Sequence, residues 1–300
     1  MAQKIIIIGG PTAVGKSDAA IELAQKIDGE IISADSVQVY KGMDIGSAKV
    51  SPEDRKKIPH HLIDILEPNE DFGVDIFCRL ASMAINEISE RNKIPIIVGG
   101  TSFYIQALLK GVDFSQEEEH DKSYRNELLL QATDDDGKKR LHAMLYEKDP
   151  QYAAKTPYQN VKRVVRALEY IHYTGMLFSE YNSIQSQKEA IYDYNFFALT
   201  DNREAIYERI NARVDVMLRN GLVDEVQKLR AAGYSKDLKS MQSIGYKEIN
   251  EYIDGTISYD EASYLIKLNT RHFAKRQLTW LRREENVTWI DISKGQKIVF

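Results

Sequence analysis

Eight residues restrict this chain more than any other feature. Gly10-Pro11-Thr12-Ala13-Val14-Gly15-Lys16-Ser17 fits the pattern G-x-x-x-x-G-K-[ST]. The motif follows the aliphatic run Lys4–Ile8, which reads as a short buried strand. It opens Ser17–Ile27, where Ala20, Leu23, Ala24 and Ile27 recur at helical spacing. A glycine turn placed this way lets backbone N–H groups face inward around an anion, and the positive end of the helix dipole points at the same spot. Lys16 adds a mobile charge and Ser17 offers a hydroxyl to magnesium. The plain alternative is an ordinary turn between strand and helix. Pattern and flanks together point to a bound phosphate or diphosphate.

The rest of the first hundred residues continues the alternation. Glu30–Ala34 reads as a second strand and Ile94–Val98 as a third, followed by Gly99-Gly100. Strands and helices of this length imply right-handed βαβ units, so the fold class is α/β: a P-loop core with a parallel sheet flanked by helices. Strand signals fade from Asp113, and acidic patches appear at Glu117–Glu119 and Asp134–Asp136. Tyr194–Leu199 reads as a strand again, followed by helical patterns to about Arg283. The expected organisation is residues 1–112 as the first part of the core, 113–191 as a helical insertion and 192–300 as the second part, with a basic C-terminal helix.

Composition narrows the function classes. With 43% apolar and 28% charged residues, the chain is neither disordered nor collagen-like. Its longest aliphatic run, Ile5–Ile8, is far below the ~20 residues of a bilayer span, so no membrane is expected. The single cysteine, Cys78, rules out an internal disulfide and suggests a reducing cytoplasm. It also leaves no zinc-ligand spacing. A net charge of −5 argues against a protein built only to coat nucleic acid. Any polyanion site must be local.

Two local basic stretches exist. Lys162, Arg163 and Arg166 are close together, and six Lys/Arg with no acid run from Lys267 to Arg283. Helical spacing puts Arg271, Lys275 and Arg282 on one stripe, with His272, Arg276 and Arg283 beside it. Such faces suit a phosphate backbone, or are simply solvated. Asp35 ends the second strand, at the sheet edge where parallel sheets place ligands. There it could cap a turn, bind magnesium or take a proton. Thr101 ends the third strand similarly and could donate to the same anion or cap a helix.

Taken together, these segments resemble the tRNA dimethylallyltransferases (tRNA isopentenyltransferases). The resemblance runs through GPTAVGKS at Gly10–Ser17, ISADSVQVYKGMDIGSAK at Ile32–Lys49 and PHHLIDI at Pro59–Ile65. It continues through VGGTSFYIQALLKG at Val98–Gly111, RVVRALE at Arg163–Glu169, IGYKE at Ile244–Glu248 and TRHFAKRQLTWLR at Thr270–Arg282. It implies transfer of a dimethylallyl group from dimethylallyl diphosphate to the exocyclic amine of the adenosine 3′ of the anticodon. Gly10, Pro11, Thr12, Ala13, Val14, Gly15, Lys16 and Ser17 would then hold the prenyl diphosphate, with Mg²⁺ on Ser17. Asp35 matches the general base, Thr101 a threonine near the reacting groups, and Arg125 and Arg213 arginines near the diphosphate.

The implied tRNA contacts are Asp35, Ser36, Val37 and Gln38, the last helping to read the adenine. Further contacts are Lys162, Arg163, Val164, Val165 and Arg166; Ser243, Ile244, Gly245, Tyr246, Lys247 and Glu248; and Lys275, Arg276, Gln277, Leu278, Thr279, Trp280, Leu281 and Arg282. The expected partners are the tRNA anticodon stem-loop and dimethylallyl diphosphate, met by a cytoplasmic monomer. A P-loop small-molecule or nucleotide kinase is the main alternative, although no arginine-rich lid can be located. A non-catalytic RNA-binding protein would leave the phosphate loop idle.

Overall fold

Four isoleucines in a row are accounted for by where the sheet puts them. In the computed structural model, which describes residues 3–112 and 123–299, β1 (Lys4–Gly9) lies inside a six-stranded sheet and Ile5–Ile8 are fully buried. Successive side chains of a strand point to opposite faces. Ile5 and Ile7 therefore enter one core and Ile6 and Ile8 the other. A parallel strand covered on both faces has no place for alternating polar residues.

The other strands are β2 (Gly29–Ser33), β3 (His60–His61), β4 (Ile94–Val98), β5 (Asp193–Thr200) and β6 (Val287–Asp291). All pair in parallel, in the order β3-β2-β4-β1-β5-β6, with Ile8 opposite Val98 on one side and Phe197 on the other. Helix α1 (Lys16–Ile27) covers the Ile6/Ile8 face with Leu23 and Ala24. The short α2 (Pro52–Lys57) buries none of its residues. Helix α3 (Val74–Glu90) covers the opposite face with Phe77, Ala81, Ile85 and Ile88, joined by α4 (Ser102–Leu109). Full burial of a side chain such as Phe77 stabilises the fold by ~1.5–3 kcal/mol.

The chain divides into two compact units, one running to Leu109 and resuming at Ile191, the other Lys110–Ala190. Where the first unit resumes, the Ile191 amide donates to the Leu109 carbonyl at 2.9 Å. The second unit contains α5 (Ser123–Gln131), α6 (Asp135–Lys148), α7 (Pro150–Ala153), α8 (Val161–Thr174) and α9 (Phe178–Gln187) around its own core of Leu128, Leu141, Leu145 and Leu168. Asp149, fully buried, satisfies two helix starts at once by accepting from the amides of Tyr152 and Ser179. The acidic run Glu117–Asp121 lies outside the described residues. After β5 the first unit adds α10 (Arg203–Arg219), α11 (Leu222–Ala231), α12 (Tyr246–Ile253) and α13 (Tyr259–Leu281).

The structure departs from the local sequence reading at three points. The second strand is Gly29–Ser33, not Glu30–Ala34. Two edge strands were not read from the sequence: β3 is two residues long and exists through its pairing with Ile31 and Ile32, and β6, a Val-Thr-Trp-Ile run, has only Ile290 buried. The basic helix ends at Leu281, with Arg282 as its C-cap, and not at Arg283.

Candidate active site

Three strand ends meet at the carboxyl edge of the sheet. Gly99 N donates to Ile8 O, Ala34 N to Val98 O and Thr101 N to Ala34 O, so the segments after β1, β2 and β4 are tied together by backbone bonds. The loop after β1 turns through Gly10 and Gly15, at φ +146° and +93°, before α1 begins at Lys16. These are conformations that side chains with a Cβ rarely adopt.

The loop is braced from outside. Gln277 on α13 accepts from Thr12 N at 2.8 Å and donates to Gly100 O at 3.0 Å. Arg209 on α10 donates to Ala13 O at 2.9 Å and pairs with Asp201. Lys16 Nζ donates to Gly10 O and Pro11 O at 3.0 and 2.8 Å.

A cleft of about 370 Å³ opens over this loop, lined by Thr12, Lys16, Ser17, Asp35, Gln38 and Arg213 among others. Burial, then the Arg213 charge, pull the Lys16 ammonium down to about 8 against a partial offset from Asp35. Burial also lowers Arg213 from its usual value, and Asp18 opposes that shift. A guanidinium remains charged regardless. Two cations at the start of a helix make a site suited to an anion.

A second cleft of about 310 Å³ shares Thr12, Asp35, Arg213 and Phe273 with the first, and adds Ser36, Thr101, Ser243 and apolar Ile210, Val214, Met217 and Ile266. Asp35 therefore lines both. Its Oδ1 accepts from the amides of Val37 and Gln38 at 2.8 and 3.1 Å, the turn-capping role open to it from sequence. Its Oδ2 has no hydrogen bond among the described residues. Gln38 Nε2 donates to the carbonyls of Ser47 and Ala48, both at 3.3 Å. Arg125 belongs to the second unit, its guanidinium paired with Glu169 on α8.

The expected tRNA-contacting segments divide sharply by burial. Lys162, Arg163, Lys247, Lys275, Arg276, Thr279 and Arg282 are exposed, and Arg166 is half-buried. Val164, Val165, Tyr246, Glu248 and Leu281 are buried and pack within the protein, whereas Gly245 and Gln277, also buried, line the clefts. Val164 and Val165 fill the core of the second unit. Glu248 accepts from Gly245 N and Asn269 Nδ2. Leu278 and Trp280 are half-buried against apolar clusters. The sequence reading missed Gln277 as the brace of the loop. Its signal was available: a polar residue on the stripe shared by Ala274 and Leu281.

Comparison with known proteins agrees with this geometry. The IPP transferase family model matches residues 38–284, and the isopentenyl transferase model matches residues 3–64. The tRNA dimethylallyltransferase of Lachnoclostridium phytofermentans is 49% identical over 96% of this chain and 91% of its own length. That of Carboxydothermus hydrogenoformans is 49% identical over 98% and 94%. The crystal structure of the tRNA isopentenylpyrophosphate transferase of Bacillus halodurans superposes with a TM-score of 0.71 at 43% identity, covering 97% of this chain and 90% of that one. A eukaryotic dimethylallyltransferase acting on tRNA gives a TM-score of 0.83 at 32% identity, covering 97% and 74%. With its phosphate loop, its paired clefts and a family model spanning most of its length, the chain belongs to the IPP transferase family.

Proposed function

We propose that this protein transfers a dimethylallyl group from dimethylallyl diphosphate to the exocyclic amine of the adenosine 3′ of a tRNA anticodon, releasing diphosphate. The observation that carries the reading is Asp35 on the shared wall of two clefts, one built for an anion and one partly apolar. Donor and acceptor can meet there from separate sides. The relatives named tRNA dimethylallyltransferase favour this reading over a kinase.

The chemistry follows from the residues. An allylic diphosphate ionises as negative charge collects on the departing group, which the loop amides, Lys16 and Arg213 are placed to stabilise. The adenine amine loses a proton as it attacks the allylic carbon. Asp35 Oδ2 is the free carboxylate oxygen available to take it. Thr101 lines the second cleft with Asp35, and Gln38, which lines the first, is proposed to orient the adenine.

Among the described residues no cluster of three His, Cys, Asp or Glu could cage a metal. The Ser17 hydroxyl in the first cleft is an oxygen donor of the kind magnesium takes, one or two at a time, together with substrate phosphates. Ser17 would hold it, and the ion would neutralise charge on the diphosphate. An anticodon-loop base must leave its stack to reach such a site. Lys162, Arg163, Lys275, Arg276 and Arg282 are proposed to grip the backbone meanwhile. No helix among the described residues is long and apolar enough to cross a membrane, and we place the protein in the cytoplasm as a monomer.

The test offers labelled dimethylallyl diphosphate or labelled ATP, each with unmodified tRNA. Label should enter tRNA from the prenyl donor alone. Phosphate transfer from ATP without prenyl transfer would replace this reading with a kinase.

A further inference from the structure

Next to the clefts stands a second loop rich in inward-facing amides, and it is already filled. Glu225 on α11 accepts from Asp44 N and Ile45 N through Oε2, at 3.0 and 2.7 Å. Through Oε1 it accepts from Gly46 N at 3.1 Å and from the Tyr246 hydroxyl at 2.7 Å. Four donors thus converge on one carboxylate, from a loop about 180 residues earlier in the chain and from the start of α12. Tyr246 is fully buried, and burial together with Glu225 pushes its hydroxyl well above the usual range, so it stays a donor. Its ring lies so close to Gly46 that a Cβ there would sit 2.5 Å from it.

The loop so held is part of the candidate active site. Ser47 and Ala48 line both clefts, and their carbonyls receive the Gln38 amide. Its other side is fastened by Lys49, whose ammonium bonds Asp44 and the Tyr40 carbonyl. Glu225 itself lines neither cleft. We propose that Glu225 is a positioning residue for the transfer: it latches Asp44–Gly46 so that Ser47 and Ala48 hold Gln38 toward the acceptor base. The inference rests on the prenyl-transfer reading for its effect on rate, and on hydrogen bonds alone for the latch.

Glu225→Gln keeps the size but leaves one accepting oxygen for four donors. In the full chain, amide exchange at Asp44–Gly46 should rise at least about tenfold, the loss of protection expected when a carboxylate acceptor is removed. Single-turnover prenyl transfer at saturating substrates should fall about 10–100-fold, as a misplaced reactant does. Pyrophosphate affinity should stay within about twofold, because the phosphate loop is built elsewhere. Gln38→Ala added to Glu225→Gln should cost little more than either alone, since both act through one contact. Unchanged exchange, or fully additive losses, would overturn the proposal. If Glu225→Gln does not fold, Tyr246→Phe removes a single donor. It should raise exchange at Gly46 and slow transfer severalfold, and no change in either would also overturn it. Wild-type protein that transfers no prenyl group sinks the functional reading, with the exchange data still judging the latch. Normal wild-type transfer with a Glu225→Gln rate equal to it removes the positioning role alone.

Discussion

Two glycine-containing loops border the clefts of the first unit, and they meet opposite charges. At Gly10–Gly15 two cations, Lys16 and Arg213, stand beside the loop together with the Asp18 and Asp35 carboxylates, and the loop faces an open cleft. At Asp44–Gly46 the protein supplies the anion itself, the Glu225 carboxylate. The backbone chemistry is similar, since amides gathered in a turn attract negative charge wherever they occur. What differs is which charge the neighbouring helices deliver. We read the loop beside the cations as the proposed diphosphate site and the carboxylate-filled one as the proposed latch.

The largest effect should come from the carboxylate that stands between them. Asp35→Asn should lower turnover by roughly 10²–10⁴, the usual loss of a general base. Pyrophosphate binding should be retained, and amide exchange at Asp44–Gly46 should be unchanged. Near-wild-type single-turnover transfer would take Asp35 out of the chemistry.

Lys16→Ala tests the open loop directly. It should weaken dimethylallyl diphosphate and inorganic pyrophosphate together, by about 10–100-fold for a lost charge-assisted bond. Titration calorimetry with pyrophosphate measures it. The same substitution should leave the Asp44–Gly46 amides protected, and lost protection there would show that the two loops are not independent.

The pH dependence has a definite sign. Because the Lys16 pKa is pulled down to about 8, the ammonium is mostly charged at pH 7 and is lost as pH rises through that value. Binding to an anion favours the charged form. Pyrophosphate affinity should therefore be greatest below about pH 8 and weaken above it, by at most about tenfold per pH unit for one proton. In Lys16→Ala this portion of the pH profile should flatten, and a profile that keeps its slope would assign the titration to another group.

The smallest effects belong to the exposed basic residues, which touch neither loop. Lys275, Arg276 and Arg282 make no ion pair among the described residues, whereas Lys267, earlier on the same helix, is paired with Asp215. Replacing any of the three by Ala should reduce the log–log salt slope of tRNA binding by roughly 0.7–0.9. Pyrophosphate affinity should not change. Unchanged slopes and affinities in all three variants would make this a solvated helix face.

The chain's local patterns carried the α/β class, the glycine turn between the first strand and helix, and four strands close to their observed limits. A parallel strand announces itself through a short aliphatic run, and a phosphate loop through glycines that few other turns need. The same patterns placed Asp35 at a ligand-facing sheet edge, but left open whether it capped a turn. In the structure one oxygen caps the turn and the other remains available. Basic spacing separated neither exposed from buried positions within a segment nor paired from unpaired charges. Tyr246 and Lys247 are adjacent, yet one is fully buried and the other exposed.

What depended on tertiary structure shares one physical cause: partners remote in sequence. Gln277 reaches Thr12 across 265 residues, and Glu225 reaches Asp44 across 181. Edge strands β3 and β6 exist through pairing with strands already in place. The lowered Lys16 pKa needs burial and an arginine from α10. Local sequence set the backbone's preferences, because propensity, glycine freedom and apolar spacing act within a few residues. Packing decided what completes each loop, because only the folded chain brings Arg213 beside the first loop's own Lys16 and the Glu225 carboxylate to the second.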